Sequence, residues 1–340
     1  MNSSVIDSAR RLMGDYTLSL ADTQRGGNST LSRLLSSQGY SYAVKQYPAE
    51  GESGRERLER EQAAYLFFAA NGCREVPRQL AVDSEHRLAL FEWLEGGRPA
   101  ADDISALDAM VGFLSRLHAL RKEQAAAKLA DAKDAVFSLD ELIGQLQRRI
   151  ATFAEVAAEH PPLQHHMQEI VIPAAAALVK WAGDTARAVG IDSSSLLEPR
   201  YRTLSPSDVG SHNMLKTPSG YRFIDFEYFG WDDPTKLIGD FVWRPEPVID
   251  HTMKAHTTAA LLSLYGDDPG LESRYHLYGP LLGFCWGLIL LNPLKSAWAE
   301  ARGITTEQRQ KRVASCISRS KALVLQVTET VGVDVYALEL

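Results

Sequence analysis

Residues 204–227 read Leu-Ser-Pro-Ser-Asp-Val-Gly-Ser-His-Asn-Met-Leu-Lys-Thr-Pro-Ser-Gly-Tyr-Arg-Phe-Ile-Asp-Phe-Glu. Two carboxylates, Asp208 and Asp225, bracket one side-chain amide, Asn213, and each lies beside a short apolar run of the kind that forms a buried strand. Pro218 and Gly220 mark a short turn between the runs. The pattern predicts oxygen-rich points at the mouths of neighbouring strands, a hard ligand set that suits Mg²⁺ rather than zinc. An Asp-x-x-x-x-Asn pair is also common among turn residues and helix caps, and on spacing alone that reading stays open. Asp225 fits it less well, because it directly follows Phe223 and Ile224, where a charge needs a partner or a metal to offset its desolvation.

An Asp, an amide five residues further on and then a strand-borne Asp follow the order in which kinases present a base and two metal ligands. The stretch, with the residues just after it, resembles the aminoglycoside phosphotransferase and choline kinase-like family of small-molecule kinases. That family carries His-Gly-Asp, four residues, Asn, a hairpin, Ile-Asp-(Trp/Phe)-Glu and then Gly-(Trp/Tyr)-x-Asp-Pro. Asp208, Asn213, Ile224, Asp225, Phe226, Glu227, Gly230, Trp231, Asp233 and Pro234 stand at matching places. Two departures mark a divergent branch: Pro206-Ser207 replaces His-Gly, and Leu237 replaces an Asp whose loss Asp240 would offset. The resemblance implies an α+β, bilobal protein-kinase-like fold, with a small β-rich N-lobe and a larger, mainly helical C-lobe. It covers residues 16–300 in order of elements.

Upstream, residues 16–21, 30–35 and 40–47 read as strands and 57–70 as a helix. The turn Gly26-Gly27-Asn28-Ser29 separates the first two strands; its glycines permit close backbone approach to phosphate, although hairpins carry such turns constantly. Lys45 lies on an alternating strand and shares a face with Ala43 and Tyr47. Glu61, on the helix that follows, can face back to the sheet, with Glu56 and Glu59 as alternatives; the Arg-Glu step before the apolar face of Ala64, Leu66, Phe67 and Phe68 matches the family at Glu61. Residues 88–94 form an apolar strand that runs into Gly96-Gly97. In kinase terms Glu92, Trp93 and Leu94 are then a hinge that meets adenine through main chain, dividing a nucleotide-binding lobe, 1–96, from a catalytic and acceptor-binding lobe, 97–340.

Beyond the hinge the pattern is helical over 105–119, 139–158, 163–188, 252–264, 274–291 and 307–327. His118 reads as a structural hydrogen-bonding residue, residues 123–136 as a solvated connector, and His165-His166 as surface, since adjacent helical residues diverge by about 100° and cannot chelate one metal. Arg244, Glu246, Asp250, His251, Lys254, Lys295 and Arg302 mix both signs of charge with Trp243, Trp286 and Trp298, so a strongly cationic acceptor is not implied. Ser207 stands where protein kinases place an Arg, and seven residues between Asp225 and Asp233 are too few to dock a peptide, which leaves a small-molecule acceptor.

The chain has 340 residues, 45% hydrophobic and 23% charged, enough to bury a full core and form two lobes. A net charge of -7 and a pI near 5.8 give no basic footprint for nucleic acid. Three scattered cysteines, Cys73, Cys285 and Cys316, argue against disulfides or zinc and for a reducing cytoplasm. Residues 1–14 read as a short amphipathic helix rather than a leader, and the apolar window 281–291 is too short to span a bilayer, so no membrane partner is expected. A monomer or homodimer is expected.

Taken with the resemblance, these features imply ATP-dependent O-phosphorylation of a small alcohol such as a sugar, amino alcohol, nucleoside or antibiotic. Asp208 would be the base, Asn213 and Asp225 would hold Mg²⁺, Lys45 with Glu61 would grip the α- and β-phosphates, and the Gly26–Ser29 loop would cover them. The rival expectation is a catalytically inactive nucleotide sensor or scaffold on the same fold, prompted by the loss of His-Gly before Asp208.

Overall fold

The computed structural model describes residues 3–25, 29–48 and 52–333, which pack as two compact units. One comprises residues 1–133 and 204–231; the other comprises 134–203 and 232–340. This division by packing falls elsewhere than the lobe border expected at 97, because helix α3 and a later hairpin share one aromatic core with the N-terminal sheet unit.

The first unit holds an antiparallel five-stranded sheet in the order β1 (Ser19–Arg25), β2 (Thr30–Leu35), β3 (Ser41–Gln46), β5 (Leu88–Glu92), β4 (Gln79–Asp83). Side chains alternate across a strand, and the sequence uses both faces. Leu34, Val44, Leu88 and Leu90 pack with Val5 and Ala9 of helix α1 (Ser3–Met13) on one face. Lys45, next to Val44 and opposite Ala89, points to the other. Helix α2 (Glu52–Ala70) meets that face through Leu58, Glu61, Ala64, Tyr65 and Phe68, all buried at helical spacing. Leu66, expected on this stripe, is 62% exposed, one helical step away from it.

Helix α3 (Ile104–Leu120) starts at Asp103, whose carboxylate accepts from the amides of Ser105 and Ala106. Strand β6 (Thr203–Ser205) leads to the hairpin β7 (Met214–Thr217) and β8 (Gly220–Phe223), and the short strand β9 (Gly230–Asp232) follows. Phe113 of α3 stacks on Phe223 of β8 at 4.2 Å, and Phe226 lies 4.7 Å from Phe68 of α2. Phe229 closes on Phe68 at 5.1 Å. This aromatic block fixes the segment around Asp225 against α2.

The second unit is helical: α4 (Leu139–Ala157), α5 (Pro161–His166), α6 (Ile172–Ala188), α7 (Pro234–Trp243), α8 (His251–Leu264), α9 (Leu271–Ile289), α10 (Ser296–Ala301) and α11 (Thr306–Thr330). The single helix expected over 163–188 is interrupted at Met167–Val171 by a wider π turn, because Pro173 lacks the N–H and crowds the preceding turn. His166, expected at the surface, is buried against the Ser320 hydroxyl at 3.1 Å, and burial lowers its pKa to about 4. The apolar stretch Leu271–Leu294 is longer than the window expected to be too short for a bilayer and is long enough to cross one; 72% of its most apolar part is buried, as befits the central core helix α9. A Cβ on Gly283 there would meet the Trp243 ring at 2.6 Å. The three cysteines are free and buried.

Candidate active site

Lys45 is the centre of the site. Its ammonium lies 2.7 Å from Glu61 Oε2, 2.6 Å from Asp225 Oδ1 and 3.2 Å from Glu227 Oε2. Glu61 is fixed at both oxygens: Oε2 also accepts from the Tyr47 hydroxyl, and Oε1 accepts from the Phe226 amide at 3.0 Å. Arg57, one helical turn before Glu61 on α2, donates to Glu227 Oε1 at 2.7 Å. Two cations therefore face three carboxylates in a mostly buried space, which leaves a deficit of positive charge.

The electrostatics follow from that count. Burial acts to lower the pKa of Lys45, but Asp225, Glu61 and Glu227 outweigh it and hold the ammonium well above its usual range. Burial raises Asp225, opposed by Lys45 and reinforced by Glu227 and Asp208. Burial likewise raises Glu61, opposed by Lys45. Asp225 keeps 39% of its side chain accessible, whereas Glu61 and Glu227 are closed, so Asp225 is the carboxylate a ligand can reach.

The hairpin positions the other oxygen groups. Met214 pairs with Phe223, and the Ile224 amide donates to the Asn213 carbonyl at 3.0 Å, so Asn213 and Asp225 flank its open end. Asp225 has φ +68°, a left-handed conformation costly for a residue with a Cβ. The Asn213 amide nitrogen donates to the Asp208 carbonyl at 2.9 Å and to Asp208 Oδ2 at 3.3 Å, which leaves the amide oxygen available as a ligand. His212 Nε2 lies 3.1 Å from Asp208 Oδ1. Ser207, in the place of the family's glycine, has φ +66° and donates its hydroxyl to the Lys133 carbonyl at 3.3 Å.

Lys45, Glu61 and Asp225 are thus brought together, with Asp208 and Asn213 joined to each other beside them. Glu56 and Glu59, the alternatives to Glu61, have no part in the cluster. Gly26, Gly27 and Asn28 lie outside the described residues, and Ser29 is a half-buried bend before β2. Glu92 ends β5 with its carboxylate on Arg78 at 2.8 Å, and the Trp93 indole donates to Glu95 at 3.0 Å. With Leu94, Arg74, Arg78 and Arg222 they line a cavity of about 870 Å³ whose walls include neither Lys45 nor Asp225. Asp240 is engaged by Lys236 at 2.7 Å and by the Trp286 indole at 2.9 Å, so its carboxylate is already spoken for.

Sequence reasoning missed Arg57 as a site residue and left Tyr47 and Glu227 without partners. The signal for Arg57 was its spacing of four from Glu61; for Tyr47 it was the shared face with Lys45.

One carboxylate oxygen from each of Glu61, Asp225 and Glu227 lies within 4.8 Å of the others, an all-oxygen set of the hardness magnesium prefers. The fold is shared with solved phosphotransferases. A gentamicin complex of APH(2'')-IIa superposes with a TM-score of 0.58 at 14% identity, over 98% of this chain and 99% of that one. The choline kinase LicA from Streptococcus pneumoniae gives 0.57 at 16% identity over 95% and 98%. Spectinomycin phosphotransferase APH(9)-Ia, with ADP and spectinomycin, gives 0.57 at 11% identity over 98% of each chain. No curated protein sequence matches. The profile of the phosphotransferase enzyme family matches residues 24–250, two thirds of the 340, and the chain belongs to that family.

Proposed function

We propose that the protein transfers the terminal phosphoryl group of ATP to a hydroxyl of a small molecule. The observation that carries this reading is the shared ammonium of Lys45, held at once by Glu61, 16 residues away, and by Asp225, 180 residues away. A buried cation between a helix carboxylate and a half-open one is poised to exchange Asp225 for phosphate while Glu61 keeps it aimed.

Asn213 Oδ1 and Asp225 would hold a magnesium ion, and the residues fit: the Asn213 nitrogen is committed to Asp208, and the local charge lacks a cation. When bound, the ion neutralises phosphate charge. Asp208 orients the acceptor hydroxyl. As the acceptor oxygen bonds to the terminal phosphorus, the bond from that phosphorus to the bridging oxygen breaks, ADP leaves, and the hydroxyl proton passes to Asp208. Glu227, tied to Arg57 of α2, holds the segment after Asp225 against the helix that carries Glu61. The main chain of Glu92–Leu94 would meet the base. The acceptor is a sugar, amino alcohol, nucleoside or antibiotic, and the enzyme works in the cytoplasm as a monomer or homodimer.

The test is ATP consumption against pooled sugars, amino alcohols, nucleosides and antibiotics, with mass spectrometry of the product. A phosphorylated acceptor from the wild type and none from Lys45→Met is expected. Nucleotide binding with no transfer to any pool would leave a nucleotide sensor instead.

A further inference from the structure

We propose that His212 is a positioning residue for Asp208, locking its carboxylate in the orientation that receives the acceptor proton; this rests on the assignment of Asp208 as the base. A carboxylate turns about two torsions, and Asp208 is 34% accessible, so packing alone does not fix it. Its two oxygens are held from the same short turn, Ser211–Asn213. The Asn213 amide reaches Oδ2 at 3.3 Å, a long bond from a nitrogen whose closer partner, at 2.9 Å, is the Asp208 carbonyl. His212 Nε2 reaches Oδ1 at 3.1 Å and is the shorter of these two contacts on the carboxylate.

The residues preceding Asp208 have other commitments. Pro206 has no side-chain donor, and its carbonyl accepts from the Asp208 amide at 2.8 Å. Ser207 spends its hydroxyl on Lys133 and its amide on the Ser205 hydroxyl at 3.0 Å. Two contacts on the carboxylate come from the C-terminal side of the loop. An Nε2–H donor from the imidazole suffices for the one to Oδ1.

The experiment compares wild type, His212→Ala, His212→Gln, Asp208→Asn and Asp208→Asn/His212→Ala. It measures ADP release from Mg-ATP with water as acceptor, turnover with the acceptor returned by the screen, and thermal melting. His212→Ala should lower kcat about 10- to 30-fold in both assays while KM for ATP and the melting temperature hold, the scale expected when a reacting group is misplaced without being removed. His212→Gln, whose amide can donate to the same oxygen, should recover to within about threefold of wild type. His212→Ala should cost nothing further once Asp208 is Asn, because the residue acts only through that carboxylate.

Wild-type kcat in His212→Ala overturns the proposal, as does a full additional loss in the double variant or a Gln variant no better than Ala. Failure of the underlying reading looks different: Asp208→Asn itself would turn over at the wild-type rate, or the wild type would release no ADP and modify no acceptor.

Discussion

Replacing Lys45 with Met tests the cluster as a folded-state object, independently of any substrate. Met fills the aliphatic length and removes the ammonium from among Glu61, Asp225 and Glu227, which lie 2.7, 2.6 and 3.2 Å from it. Glu61 and Glu227 are closed to water, so their charges gain no solvation in exchange. Breaking such a buried pair typically costs about 3–5 kcal/mol, and a unit of this size loses about 2–4 °C per kcal/mol, which predicts a melting temperature lower by roughly 10 °C. The pH dependence has a definite sign. Glu61 and Asp225 already have raised folded pKa values, and losing Lys45, which lowers both, raises them further. A carboxyl whose folded pKa exceeds its unfolded one destabilises as pH rises through that interval, so the deficit should be largest near pH 8 and shrink toward pH 5. Calorimetric melting at both pH values, with Lys45→Met/Glu61→Gln alongside, measures it, and the second substitution should restore part of the loss. A Lys45→Met protein melting within 2 °C of wild type at pH 8, or one whose deficit grows on acidification, would refute the reasoning.

Mg-ATP should raise the melting temperature of the wild type and do so far less for Asp225→Ala; equal stabilisation removes Asp225 from the metal site. Asp208→Asn should bind nucleotide normally by calorimetry while transfer falls by roughly 10²- to 10⁴-fold, the usual scale for losing a positioned base; unchanged turnover would direct attention to Glu227. Gly283→Ala should cost about 1–3 kcal/mol by overpacking, since its Cβ would meet Trp243 at 2.6 Å, and a denaturant midpoint equal to wild type would contradict that contact.

The parts of this molecule legible in the sequence are those written in local pattern. Thr30–Leu35 is the strand expected, and the hairpin follows from two apolar runs around Pro218 and Gly220. Lys45 was legible as a lysine on an alternating strand, on one face with Ala43 and Tyr47, whereas Glu61 was separated from Glu56 and Glu59 only by the family's Arg-Glu step before Ala64, Leu66, Phe67 and Phe68. Pairings between distant segments were not legible. Arg57 meets Glu227 across 170 residues, and His166 finds Ser320 across 154; no periodicity within one helix carries either fact. Pro173 was a readable break, overridden in the reading by the alanine-rich run around it. His212 gave no signal at all, since only the tight turn that follows Gly210 brings its ring back to Asp208.

The unit that contains every residue of the cluster is built from two chain segments, 1–133 and 204–231, with the start of the helical unit encoded between them. During synthesis this order imposes a wait. When residue 133 leaves the ribosome, Lys45, Arg57 and Glu61 exist without Asp225 or Glu227, and Phe68 without Phe226 and Phe229. The nascent sheet and α2 then carry an unfilled aromatic face and unmatched charge until about a hundred further residues have been added, several seconds at ordinary elongation rates. The interval between those two points is where a ribosome-bound chaperone has most to cover, and slowing translation within 134–203 would lengthen that exposure.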